Sequence, residues 1–176
     1  KPGITTKEID DYAAELFRKE GCGNAFYGYA GYPGQLCISV NEEIVHGIGG
    51  PRVIHDGDIV SLDAGAIVDG WYGDNAMTVP VGNVSVEAKR LLAVTEEALF
   101  RGIAEAKQGA PLSEVCGAIE DYVRPFGFGI VRDYVGHGVG RHLHEEPQVP
   151  NYRPSYHMQR LKRGMILAIE PMITLG

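Results

Sequence analysis

The stretch SLDAGAIVDGWYGD, residues 61–74, is mostly apolar or glycine, yet it carries Asp63, Asp69 and Asp74. Asp69 precedes Gly70, and Asp-Gly between apolar runs is a strong hairpin signal. A two-residue turn there sets Asp74 opposite Gly65 and Asp63 opposite Ala76. Asp63 and Asp74 then become diagonal neighbours on one sheet face. Their α-carbons would lie roughly 7–8 Å apart, within reach of a shared ion. A slip of one residue would turn one strand's acid to the other face. Two carboxylates in an apolar setting repel each other and lose hydration, so one protonates or a cation holds them. A sheet edge open to water, or a turn cap, is the competing reading.

Outward from the hairpin, the chain divides into two similar halves. Thr5 and Glu8 form a capping-box pattern. Ile9, Tyr12, Ala13, Leu16 and Phe17 follow at helical spacing, and Gly21 ends the run. An offset of 106 residues brings the pattern back: Lys1, Gly3, Glu8, Arg18 and Gly21 reappear as Lys107, Gly109, Glu114, Arg124 and Gly127. The returning helix face is Val115, Ala118, Ile119, Tyr122 and Val123. An offset of 107 aligns GDIVSLD (57–63) with GMILAIE (164–170) and puts Glu170 where Asp63 stood. Between the halves, Ser85 to Lys107 reads as a longer helix capped by Asn83 or Ser85, with Leu92, Leu99 and Ile103 as its buried stripe. Strands are predicted at 35–40, 58–68, 71–80, 130–135 and 164–173, with connectors at 47–51 and 147–154. Tight turns between strands predict antiparallel pairing in an α+β fold. One incomplete domain spans 1–176, with halves at about 1–84 and 85–176.

The 176 residues suffice for a real core. Their composition is ordinary globular, 44% apolar and 22% charged. A formal charge of −7 weighs against nucleic acid or an anionic membrane as a partner. No apolar run approaches the ~20 residues needed to cross a bilayer, and no signal-peptide pattern opens the chain. Cys22, Cys37 and Cys116 are odd in number and lack metal-type spacing, which fits a reducing cytoplasm. Lys1 in place of Met, and an apolar segment running to Gly176, predict truncation at both ends.

The second half supplies further donors. In YVGHGVGRHLHEEPQVPNY (134–152), His137 lies between glycines and His144 precedes two acids. An acid pair, a histidine and Glu170 make an oxygen-rich set with one or two nitrogens, suited to Mn²⁺, Fe²⁺, Co²⁺ or Zn²⁺. A lone histidine is usually structural or solvated, which covers His55, His157 and mostly His142; that reading is weaker for His46, His137 and His144. GHGVG lacks both phosphate-loop patterns, and neither H-E-x-x-H nor G-x-S-x-G occurs. A cysteine hydrolase using Cys37 and His46 stays open, though nothing orients such a pair.

Taken together, NEEIVHGI (41–48), SLDAGAIVDGWYGD (61–74), GHGVGRHLHEEPQVPNY (136–152) and AIEPM (168–172) resemble type I methionine aminopeptidase, in order and across the whole chain. The short spacing from His144 to Glu170 leaves no room for the type II insertion. The resemblance implies the pita-bread fold: a curved antiparallel sheet with helices on its outer face and an internal pseudo-two-fold repeat, here with the C-terminal part missing. It implies Asp63, Asp74, His137 and Glu170 as ligands of two divalent ions, with Asp74 bridging. It implies His46 and His144 as substrate contacts and Glu170 as proton shuttle, so that His46, His144 and Glu170 form the catalytic set. Phe26, Tyr29, Tyr32 and Cys37 match the methionine side-chain pocket; from the residues alone they would be ordinary core.

The activity so implied is removal of the N-terminal methionine from nascent polypeptides by a water activated at a dinuclear centre of Co, Mn, Fe or Zn. The implied partners are peptide N-termini, with ribosome association an open expectation, no DNA or membrane, and a monomer when complete. The family's fifth ligand, a glutamate beyond Glu170, would lie past Gly176. Gly49 stands where proline is usual, and Ala30 and Leu143 are further departures near the pocket. Two alternatives remain: another pita-bread peptidase, directed at proline, or an inactive truncated chain acting at most as a binding module.

Overall fold

In the computed structural model, which describes Lys1–Gly176, one unit comprises Lys1–Ala88 with Gly140–Leu143, and a second comprises Lys89–Val139 with His144–Gly176.

The first unit opens on helix α1 (Thr6–Glu20). The capping box forms: Glu8 N–H donates to Thr5 Oγ1 at 3.2 Å, and Thr5 N–H to Glu8 Oε2 at 2.7 Å. Gly21 ends the helix at φ 69°, a left-handed cap. The inward stripe differs from the one expected. Thr6 and Ala13 are buried and Ile9 and Phe17 pack on the core, but Tyr12 and Leu16 are exposed. Polar anchors set this rotation. Thr6 Oγ1 donates to Gly50 O, and Asp10 Oδ1 accepts from Gln35 N and Leu36 N. Both residues must therefore face inward, which turns the Tyr12–Leu16 flank to solvent.

Strands β1 (Gly23–Asn24), β2 (Cys37–Val40), β3 (Ile59–Val68) and β4 (Trp71–Pro80) make one antiparallel sheet. β3 pairs with β4 along its whole length, and with β2 and β1 on its other edge. The hairpin register is the one read from the sequence, with Asp63 opposite Ala76 and Gly65 opposite Asp74. Asp69 (φ 51°) and Gly70 (φ 73°) both adopt the left-handed conformation that a type I′ turn requires. Leu36, Ile38, Val40, Ile54, Val60 and Val81 form the core beneath.

The second unit is built on α2 (Val86–Glu105) and α3 (Leu112–Val123). Ser85, not Asn83, caps α2: its Oγ accepts from Ala88 N at 3.0 Å. The buried stripe is Leu91, Val94, Ala98 and Gly102, one position off the expected Leu92, Leu99 and Ile103. Small residues mark the contact line because α3 approaches closely. A Cβ at Gly102 would meet Ile119 Cγ1 at 2.9 Å. Gly102→Leu is accordingly expected to cost about 1–3 kcal/mol by overpacking, seen as a lower urea midpoint with an unchanged slope. On α3 itself, Val115, Ile119 and Val123 are fully buried, as its periodicity implied.

Five short strands complete this unit: β5 (Gly129–Ile130), β6 (Gly136–Gly138), β7 (Glu145–Val149), β8 (Leu167–Ala168) and β9 (Ile173–Thr174), in sheets β5-β9 and β7-β6-β8. The expected strand 130–135 is thus reduced to its start. The expected strand 164–173 is broken into β8 and β9, with Pro171, which has no N–H to pair, between them. Part of the 147–154 connector is strand β7. Pro147 is tolerated there because β7 is an edge strand and the ladder shifts register beside it.

The internal repeat extends to backbone pairing within each unit. Thr5 bridges Val53, and Pro111 bridges Arg160. Gly3 N donates to Ile54 O, and Gly109 N to Leu161 O, each at 2.8 Å. Gly127 repeats Gly21's left-handed cap at φ 75°.

Candidate metal centre

In the first unit, strand alternation determines what surrounds the two carboxylates. Residues 63, 65 and 67 share one face of β3, and 72, 74 and 76 share the matching face of β4. Asp63 and Asp74 are both half-buried there, as diagonal neighbours. Cys37 pairs with Asp63 across the other edge of β3. Gly65 leaves room for an aromatic ring: a Cβ there would meet Phe26 Cε1 at 2.5 Å. Ala25, Phe26, Cys37 and Leu143 form an apolar cluster, with Tyr32, Ile67 and Tyr72 packed against it. The hairpin therefore carries two acids beside an apolar cluster.

Burial pushes the Cys37 thiol up to about 11, and the Asp63 and Asp74 charges add to the rise while a Tyr32 hydrogen bond opposes it. Burial likewise raises the Tyr32 phenol above its ordinary value. Its hydroxyl lies 2.8 Å from Leu36 O and 2.7 Å from Gly47 O, tying the strand entry to the residue after His46. His46 itself is exposed and sits at φ 60°, a left-handed conformation uncommon outside glycine. Gly49, the unusual residue after HGI, has a local reason. A Cβ there would meet Asp10 Cβ at 2.7 Å, and Asp10 holds residues 35–36.

In the second unit, β6 presents His137, which is buried at 8% exposure. Its Nδ1 lies 2.7 Å from Gly138 O. A carbonyl only accepts, so Nδ1 carries the proton and a neutral ring turns its Nε2 lone pair elsewhere. That Nε2 lies 3.3 Å from Glu170 Oε1. Lone pair facing carboxylate is favourable only with a proton or a cation between them. A ring nitrogen fixed by a backbone carbonyl, with the other aimed at an acid, is the usual arrangement of a metal-ligating histidine. The His144 ring meets His137 edge-on at 4.4 Å.

The chemistry of the donors fits a divalent cation. Each unit supplies donors by itself: the Asp63 and Asp74 carboxylates in the first, the His137 imidazole and the Glu170 carboxylate in the second. Oxygen and imidazole donors select Mn²⁺, Fe²⁺, Co²⁺ or Zn²⁺ over thiophilic metals.

Of the expected side-chain pocket, the structure gathers Phe26, Tyr32 and Cys37, whereas Tyr29 is exposed on a 3₁₀ turn and lies outside the cluster. Ala30 beside it is held at φ 49°, so the turn directs Tyr29 outward. Ile67 and Tyr72, opposite each other in the hairpin, were missed. Their signal was available, because each lies an even number of residues from Asp63 or Asp74 and so shares the acids' face. His55 and His157 are exposed, and His142 lies in an exposed loop.

Residues 1–176 match the model of metallopeptidase family M24. Methionine aminopeptidase 1 of Bacillus subtilis (strain 168) is 54% identical over 176 residues, covering 100% of this chain and 71% of that protein. The crystal structure of a methionine aminopeptidase from Thermotoga maritima superposes with TM-score 0.96 at 46% identity, covering 99% of this chain and 71% of its own. A prolidase from Pyrococcus furiosus gives TM-score 0.82 at 26% identity, covering 97% and 48%.

Proposed function

Because this chain belongs to metallopeptidase family M24, we propose that it removes the N-terminal methionine from nascent polypeptides by metal-dependent hydrolysis. It is a metallo-exopeptidase with the pita-bread fold. One observation carries the methionine reading over a proline-directed one: identity to a methionine aminopeptidase is 54% along the whole chain, against 26% to a prolidase.

Asp63, Asp74, His137 and Glu170 would hold two divalent ions. When bound, such ions acidify water to a nucleophile at neutral pH and polarise the scissile carbonyl. Glu170 would take the proton of the attacking water on its carboxylate and return it to the leaving amine. His144, packed on His137, would donate its ring N–H to the oxygen on which negative charge develops. His46 would steady the peptide at the cleaved bond. The cluster of Phe26, Tyr32, Cys37 and Leu143 would take the unbranched apolar side chain of methionine, with Tyr29 at its approach.

The same proposal treats residues 1–176 as one metallo-aminopeptidase-like domain. The protein would act in the cytoplasm, with ribosome association open, and as a monomer when complete. No helix is long and apolar enough to cross a membrane, and the three cysteines are free. The test compares peptides. Chain supplied with Mn²⁺ or Co²⁺ is expected to release methionine from Met-Ala-Ser and to leave an Ala-Pro peptide intact. Preference for the Ala-Pro peptide would replace the reading with the proline-directed one.

A further inference from the structure

We infer that Asn151 is a positioning residue for Glu170. The inference rests on Glu170 being a metal ligand, as proposed above. β7 and β8 lie on opposite sides of β6. Asn151 stands two residues past the end of β7, and Glu170 two residues past the end of β8. Even so, Asn151 Nδ2 donates to Glu170 O at 2.7 Å. The amide therefore bridges the two outer strands across the N-terminal end of β6. Gly136 is the β6 residue at that crossing. A Cβ on Gly136 would meet Ala168 O at 2.3 Å and Glu170 N at 3.3 Å. The Glu170 backbone is thus pressed against Gly136 while its carbonyl is held by Asn151. With both fixed, the Glu170 side chain is aimed at His137, the next residue of β6, where Oε1 reaches Nε2 at 3.3 Å.

Stability alone does not account for an asparagine at this position. Asn151 is 0% exposed, and its Oδ1 is buried with no hydrogen-bond partner. Because Glu170 O can only accept, the amide cannot turn to place Oδ1 there instead. An apolar side chain of the same size would remove that orphaned acceptor but leave Glu170 O without its donor, so the two effects on stability oppose each other. The donor end is what the site uses. Loss of an outer-shell partner typically weakens metal binding by about 10–100-fold.

The experiment titrates Co²⁺ into the unsubstituted chain, Asn151→Leu, Asn151→Val and Glu170→Gln, by calorimetry and by the visible absorption of bound Co²⁺. Thermal unfolding of each metal-free chain is followed in parallel. Asn151→Leu is expected to weaken Co²⁺ binding about 10–100-fold and to change the absorption bands while the metal-free chain still unfolds cooperatively. Asn151→Val, which also lacks the donor, should weaken binding too. Unchanged Co²⁺ affinity and bands in either folded Asn151 variant, with binding lost in Glu170→Gln, would overturn the positioning role alone. Undiminished binding in Glu170→Gln would instead overturn the ligand reading beneath it. If both Asn151 variants fail to fold, Asn151 serves stability and the inference also falls.

Discussion

Asp74→Asn is expected to abolish divalent-metal binding and methionine release together. Asparagine keeps the size of the side chain and one carbonyl oxygen but removes the negative charge. The hairpin should survive, because its register comes from the Asp69-Gly70 turn and from ten paired positions, Ile59↔Pro80 to Val68↔Trp71. What disappears is the charge that would draw a cation to this face. A neutral amide is a much weaker cation ligand than a carboxylate, and the loss should exceed the about 100-fold upper range seen for outer-shell partners. Metal content by elemental analysis, Met-Ala-Ser cleavage and circular dichroism together read this out. Full metal content with full activity in a folded Asp74→Asn chain would remove Asp74 from the centre. Metal retained with activity lost would keep it as a contact to substrate only.

The second large effect is expected from a change with no charge at all. Gly136→Ala places a methyl group 2.3 Å from Ala168 O, a backbone atom that cannot move aside alone. β6 must separate from β8, and these strands share only two paired positions, His137↔Ala168 and Gly138↔Leu167. Overpacking against backbone should cost about 3 kcal/mol, lowering Tm by about 6–12 °C at this chain length. Because His137 follows directly, Co²⁺ binding should weaken in whatever fraction stays folded. A thermal melt within about 1 °C of the unsubstituted chain, with Co²⁺ binding intact, would show that the β6–β8 contact is looser than the structure indicates.

These two substitutions mark the boundary between what could be read early and what could not. Asp74's placement was legible because one dipeptide turn sets the register of twenty residues, and strand alternation then assigns every face. The repeat was legible for a similar reason: identical spacing of Gly3, Glu8 and Gly21 with Gly109, Glu114 and Gly127 needs no folding to be seen. Gly136 was not legible. β6 is three residues long and β8 two, too short for any period. Their partners lie far along the chain, so no local pattern reports them. The buried stripe of α2 was misplaced because the close contact with α3 selects small residues, while sequence reading follows large ones. Periodicity places Tyr12 and Leu16 inward because it counts apolar residues and gives no weight to Thr6 and Asp10, whose hydrogen bonds turn the helix.

By itself, then, the sequence determined the chemistry on offer: two acids on one face of a hairpin, a histidine between glycines, a glutamate at the repeat position, and a duplicated helix-and-strand plan. Only the tertiary structure decided which nitrogen of His137 points at Glu170, that Tyr29 stands outside the apolar cluster, and that Asn151 spans β6 to hold the Glu170 carbonyl. The division follows from range. Turn type, alternation and helical period act over a few residues and leave their mark in the order of the chain. The aim of a side chain depends on backbone brought together from distant positions, and close packing there leaves no periodic trace.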